Sequence, residues 1–193
     1  MRELFRKYQS VLRFLLIFLG SYILLSLLYG GFLSLSKGKE ATPDLITQNV
    51  AKQSTAVLNS LGYISKVEAN KDLPSLQLWV EETEVGTIIE GCNSLSIIIL
   101  FISFVVAFSA PIKKTLLFLF AGAVLIYSVN LIRIAVLAIA LYQYPQHQEF
   151  LHTVVFPGII YGLVFVLWVL WVQRIAKENQ NKVHIEEERR KAT

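Results

Sequence analysis

The chain has 193 residues, of which 54% are hydrophobic and only 17% are charged. Soluble domains carry roughly 25% charged residues, so this composition argues against a soluble protein and indicates an integral membrane protein. The formal net charge of +4 comes from basic residues that flank apolar runs, which argues against nucleic acid as a partner.

Four apolar runs approach or exceed the roughly 17–25 residues of a membrane-spanning helix. The second run is short, and the third is long enough to tilt or protrude. The sequence therefore predicts an all-α integral membrane protein, a four-transmembrane-helix bundle with a small extracytoplasmic α/β loop region. The four runs are residues 14–35, 95–110, 115–141 and 154–172.

Basic residues fix the expected orientation of these helices. They precede the first run, join the second to the third and follow the fourth, and short loops rich in Lys and Arg stay in the cytoplasm. Both termini are therefore predicted to be cytoplasmic, in a multi-pass protein of the cytoplasmic (inner) membrane. The predicted division is an anchor helix at 1–35, an extracytoplasmic region at 36–90, a three-helix membrane core at 91–174 and a charged tail at 175–193.

The first apolar run also has features of a cleavable signal, because Ser34-Leu35-Ser36 is a weak cleavage site. Its apolar core is longer than the roughly 7–15 residues of a typical signal peptide, so an uncleaved anchor is favoured. In the outer region, Pro43 and Asp44 are typical of a helix start, and Gly62 of a helix end. Two short strands are predicted after this helix, at residues 63–68 and 76–80, around a turn at residues 70–72.

In this topology, polar residues from three separate segments reach the same side of the membrane. Cys92 opens the second apolar run, and counting about 20 residues outward from Lys114 places Asn130 and Arg133 near the outer surface. His152 precedes the fourth run at that surface. A thiol, an amide with a guanidinium, and an imidazole are therefore expected at one depth.

These groups are suited to nucleophilic acyl transfer. A thiolate is the attacking species, and a helix N-terminus or a nearby cation favours its formation at Cys92. His152 can pass a proton to the leaving amine, and Arg133 can stabilise the oxyanion or the thiolate. Asn130, three residues before Arg133 on one helical face, is expected to orient Arg133 or the substrate backbone.

Each residue also has a purely structural interpretation. Cys92 taken alone is compatible with a small buried hydrophobic side chain. Arg133 is equally compatible with snorkelling to the interface or with pairing to Glu149 and Glu90. His152 is compatible with an ordinary interfacial histidine, and His147 is its competitor in the preceding loop.

Metal and cofactor sites find no support in the sequence. One cysteine cannot form an intramolecular disulfide, and its spacing from the three histidines fits no zinc motif. No cofactor and no structural metal are therefore expected.

At these residues the sequence resembles the exosortase/archaeosortase family of membrane-embedded cysteine transpeptidases. The resemblance lies in the string Glu90-Gly91-Cys92-Asn93-Ser94, in an Asn-x-x-Arg in the next helix, and in the histidine that opens the following helix. It covers residues 90–172 and is greatest to the exosortase F branch of Bacteroidetes. In the common family pattern a small residue and a glycine follow the cysteine, whereas this chain has Asn and Ser.

The resemblance implies that Cys92 is the nucleophile, Arg133 the stabiliser of the transition state or thiolate, and His152 the general acid/base. Asn130, Asn93 and Ser94 would support them. The implied substrates are exported proteins with a C-terminal recognition motif, a transmembrane helix and a basic tail. They would be cleaved through a thioester and transferred to a surface acceptor. Because the chain is shorter than many exosortases, a partner membrane protein is a candidate contributor to the substrate groove.

Two functions of other classes stay open. In a non-catalytic membrane scaffold or assembly factor of an export system, Arg133 would pair with an acidic group on a partner helix. Such a scaffold should tolerate serine at Cys92, whereas a cysteine enzyme should not. An ion or proton pathway is disfavoured, because neither of the first two apolar runs contributes an ionisable chain across the bilayer.

Overall fold

Long apolar helices and a small antiparallel sheet make up the fold. The computed structural model describes residues 2–36, 43–70, 73–108 and 110–191. The main helices are α1 (Arg2–Ser36), α2 (Leu45–Ser60), α3 (Leu95–Ala107), α4 (Ile112–Gln143) and α6 (Phe156–Lys191). The strands are β1 (Ser65–Ala69), β2 (Leu76–Val80) and β3 (Thr83–Ile88). Short helical pieces complete the chain: 3₁₀ turns at Glu90–Cys92 and Pro145–His147, α5 (Gln148–Phe150) and a π-helical turn at Leu151–Val155.

Three helices in the described part of the chain are long and apolar enough to cross a membrane. They contain the segments Tyr8–Leu35, Ile112–Gln143 and Leu151–Lys177. The predicted second span is shorter than expected, because α3 ends at Ala107 rather than at residue 110. Phe108 is extended, and Pro111 follows shortly after. The 13 residues of α3 extend about 20 Å, less than the roughly 30 Å of a hydrocarbon core, so a fourth span stays a prediction.

The region predicted to be extracytoplasmic contains the predicted helix and both predicted strands. The Asp44 carboxylate caps α2 by accepting hydrogen bonds from the backbone N–H groups of Ile46 and Thr47. Strand β2 has the predicted bounds, and β1 begins two residues later than predicted. Part of the predicted turn, residues 71–72, lies outside the described residues.

The sequence analysis missed a third strand, β3, which pairs with β2 in a three-stranded sheet of order β1-β2-β3. Val80 pairs with Thr83, so the connecting turn contains only Glu81 and Glu82. Both residues have positive φ, 48° and 66°, as a two-residue hairpin of type I′ requires. Asn-Gly or Asp-Gly usually supplies this turn, so the Glu-Glu pair concealed the hairpin.

Helix α4 joins two separate apolar clusters. Its first half packs with α3 and α6 around Phe101, Ile126 and Val164, where Gly122 leaves room for the Phe101 ring. Its last third packs against α2 and the sheet around Ile134 and other buried residues. With 32 residues α4 extends about 48 Å, beyond a hydrocarbon core of about 30 Å. The part of α4 that carries Arg133 therefore belongs to the cluster formed with the sheet.

Candidate active site

Cys92 ends a 3₁₀ turn that connects β3 to α3. Its backbone N–H donates to the Ile89 carbonyl at 2.8 Å, and its side chain is partly buried. The Cys92 carbonyl accepts a hydrogen bond of 2.8 Å from Nδ2 of Asn130. Two residues after Cys92, Ser94 adopts φ 62° before α3 begins at Leu95. The thiol is therefore held in a short, well-bonded turn just ahead of α3.

Arg133 lies one helical turn beyond Asn130 on α4. Its Nη1 donates to Oδ1 of Asn130 at 3.2 Å, and Asn130 itself is buried. The buried Arg133 Nε has no hydrogen-bond partner in the described part of the chain. Arg133 also forms no ion pair among the described residues, so the proposed pairing with Glu149 is not observed there. One amide therefore connects the turn of Cys92 with the guanidinium.

His152 lies in the π-helical turn Leu151–Val155, directly before α6. Its side chain is exposed, and it reaches the same cavity as Cys92 and Arg133. Turns of this type are rare and occur often at functional sites. The competing residue His147 ends the preceding 3₁₀ turn, and its side chain lies outside those described.

The three predicted residues line one cavity of about 320 Å³. Its other walls come from the inner part of the sheet and from the last third of α4. The wall residues are Leu78, Val85, Gly86, Thr87, Ile88, Ile134, Leu137, Ala138 and Leu141. A thiol, a guanidinium and an imidazole therefore share an otherwise mostly apolar cavity, an arrangement that suits acyl transfer more than binding of a free ion.

The family model described as transmembrane exosortase (exosortase EpsH) matches residues 10–172 of this chain. The chain belongs to the transmembrane exosortase family. Exosortases are membrane cysteine transpeptidases that act on exported proteins. The match supports the resemblance to the family but not its F branch, which stays a prediction. No curated protein and no solved structure matches the chain significantly.

In this exosortase, Asn93 connects the cysteine turn to two other helices. Its Nδ2 donates to the Tyr29 hydroxyl of α1 at 2.8 Å and to Thr47 Oγ1 of α2 at 3.1 Å. Its Oδ1 accepts from the backbone N–H of Leu95 at 2.9 Å, which satisfies a free donor at the start of α3. Thr47 in turn donates to Asp44. Sequence reasoning gave Asn93 only a supporting role and missed its partners, because residues 46 and 64 positions away carry no local signal.

Tyr29→Phe is expected to lower the exosortase's substrate processing several-fold, because it removes one hydrogen bond that fixes Asn93 beside Cys92. The loss of a hydrogen bond worth about 1 kcal/mol corresponds to a roughly fivefold lower rate of processing. The rate at which a small thiol reagent alkylates Cys92 should change as well, which a loss of stability alone would not cause. Tyr22→Phe is the matched control, since Tyr22 lies on the same helix and forms no hydrogen bond within the described residues. Unchanged processing and alkylation in Tyr29→Phe would contradict this role of α1.

Proposed function

We propose that this chain is a cysteine peptidase/transpeptidase that cleaves the C-terminal sorting signals of exported proteins and transfers the product to a surface acceptor. Membership of the exosortase family supports the reaction class. The observation that carries the assignment of residues is the single cavity shared by Cys92, Arg133 and His152.

In the proposed mechanism, the Cys92 thiolate attacks the scissile carbonyl of the substrate. Arg133 stabilises the oxyanion that develops, and His152 protonates the leaving amine as the carbon–nitrogen bond breaks. The substrate then remains bound to Cys92 as a thioester. An acceptor nucleophile attacks this thioester, His152 takes the proton of the acceptor, and the Cys92 thiolate is regenerated.

Asn130 has a positioning role in this mechanism. It donates to the Cys92 carbonyl and accepts from Arg133, so it sets the distance between nucleophile and guanidinium. Only one N–H group of the guanidinium is seen bound to Asn130, and Arg133 lines the cavity, so its other N–H groups supply donors for an oxyanion formed there.

The proposed reaction takes place on the extracytoplasmic side of the inner membrane. The substrate's transmembrane helix and basic tail would hold its cleavage site at the outer surface, where the cavity would lie if the basic ends of the helices face the cytoplasm. A partner membrane protein remains a candidate contributor to the groove for that helix.

A thioester between substrate and enzyme is the direct test of this function. When the acceptor is limiting, a covalent adduct at Cys92 should accumulate and should be released by neutral hydroxylamine, because hydroxylamine cleaves thioesters but not amides. Gel mobility and mass spectrometry of a tagged exported protein with the predicted C-terminal signal would detect it. An enzyme that processes this substrate without any hydroxylamine-sensitive adduct would contradict the mechanism.

Sidedness is tested with the only thiol of the chain. A membrane-impermeant maleimide should label Cys92 in intact spheroplasts, because the proposed topology places this partly exposed side chain outside. The control is Lys177→Cys in a Cys92→Ala background, which should be labelled only after permeabilisation, because Lys177 ends the apolar segment Leu151–Lys177 on the side opposite His152. Labelling of Cys92 only in permeabilised cells would reverse the proposed orientation.

A further inference from the structure

Strand β3 is an edge strand that borders the candidate active site. The sheet order is β1-β2-β3, so β3 has a strand neighbour on one side only. Its opposite edge carries alternate backbone N–H and C=O groups that no strand pairs within the described chain. Ile88, the last residue of β3, lies four residues before Cys92.

The cavity reaches this edge and not only one face of the strand. Side chains of successive residues in a strand point to opposite faces. Gly86 and Ile88 lie opposite Leu78 and Leu76 on the inner face, whereas Thr87 is exposed on the outer face. Gly86, Thr87 and Ile88 nevertheless all line the cavity. Val85 lines it as well, at the point where the pairing of β2 with β3 is irregular. A cavity that contacts consecutive residues of both faces runs along the backbone edge between them.

We propose that the substrate binds as an added fourth strand on the free edge of β3. An extended peptide segment would form main-chain hydrogen bonds with Val85–Ile88 and would present its scissile carbonyl to Cys92. This proposal rests on the proposed function and names its mode of substrate recognition. Strand addition gives affinity through the backbone and selectivity through alternate side chains.

The walls of the cavity favour a peptide as the occupant. Leu78, Ile134, Leu137 and Leu141 offer apolar contacts to every second side chain of an extended segment. A polar acceptor such as a sugar would leave its hydroxyl groups unpaired against these walls. Arg133 is the one permanently charged cation among the described lining residues, and it is suited to the carbonyl under attack and not to a polyanion.

Gly86 would set which side chains fit beside the edge. A Cβ at Gly86 would meet only the Leu141 side chain, at 4.0 Å, which is ordinary van der Waals contact. Gly86→Ala should therefore fold normally while adding a methyl group to the cavity wall. Substrate segments with a large side chain at the adjacent position should lose more of their processing rate in this variant than segments with alanine there.

Disulfide tethering at the single cysteine tests strand addition without requiring catalysis. The probe is acetyl-Val-Ala-Val-Ala linked through its C-terminus to cysteamine, attached to Cys92 of the full chain in nanodiscs. Hydrogen exchange of the segment Thr83–Ile88, followed by mass spectrometry, should slow about tenfold or more at roughly two amides, as one added strand pairs alternate residues. Cysteamine alone is the control and should not slow it.

Two further probes carry backbone N-methyl groups, one probe on its odd-numbered residues and the other on its even-numbered residues. In an added strand only one of these two sets of N–H groups faces β3, so one probe should lose the protection from exchange and the other should keep it. Unchanged exchange with the parent probe, or equal protection by the two N-methylated probes, would overturn strand addition. If the tethered probes show no strand addition but the hydroxylamine-sensitive thioester still forms, the proposed function stands and only the mode of substrate binding is wrong. If no thioester forms, the proposed function itself is wrong.

Discussion

Cys92→Ala is expected to abolish processing of exported substrates, with a loss of at least about 10⁴-fold, while the folded protein accumulates normally. Removal of a covalent nucleophile leaves only the binding and electrostatic contributions of the site. The backbone contacts of residue 92 to Ile89 and Asn130 do not involve the thiol, so alanine preserves both of them. Processing of a tagged exported protein in cells and thermal unfolding of the purified variant would measure the two effects.

Ser96→Ala is the matched control for this variant. Ser96 lies in the first turn of α3 with an exposed side chain, so its replacement tests the tolerance of this region to loss of a polar atom. Processing near the wild-type level is expected for it. Normal processing by Cys92→Ala would instead reject the enzyme and favour the alternative of a membrane scaffold for an export system.

Much of the fold follows from local sequence signals. The apolar runs predict α1, α4 and α6, because an apolar stretch of this length satisfies its own backbone only as a helix in lipid. Asp44 predicts the start of α2 through a cap formed within three residues. β3 was missed because it is polar in part and contains a glycine, and because its turn is made by Glu81 and Glu82 in an unusual conformation.

The candidate site was predictable in its composition but not in its geometry. The rule that loops rich in Lys and Arg stay in the cytoplasm predicts Cys92, Arg133 and His152 at one membrane depth. In the structure all three line one cavity. The hydrogen bond from the side-chain amide of Asn130 to the Cys92 carbonyl depends on where the turn of Cys92 lies along the length of α4, which sequence spacing does not determine. β3 supplies four of the twelve residues that line the cavity, and it does so only because the hairpin forms, so missing this strand left a third of the lining out of the prediction.

Arg133→Lys is expected to reduce the turnover of exported substrate by about 10²–10³-fold, the usual effect of losing one donor to an oxyanion. Lysine preserves the charge but replaces the planar fork of the guanidinium with a single ammonium group on a different stem. The variant loses the Nη1 hydrogen bond to the buried Asn130, and it loses Nε, which has no hydrogen-bond partner among the described residues. The loss of one hydrogen bond should lower the free energy of unfolding by about 1 kcal/mol, while membrane insertion should change little.

The loss should appear mainly in kcat and not in KM, because an interaction with the oxyanion exists in the transition state and not in the bound substrate. Arg174→Lys is the matched control, since Arg174 lies near the opposite end of the apolar segment Leu151–Lys177 from His152 and lines a different cavity. That variant should process substrate at the wild-type rate. Full activity of Arg133→Lys would mean that position 133 supplies only positive charge, and stabilisation of the oxyanion by an oriented guanidinium would then be wrong.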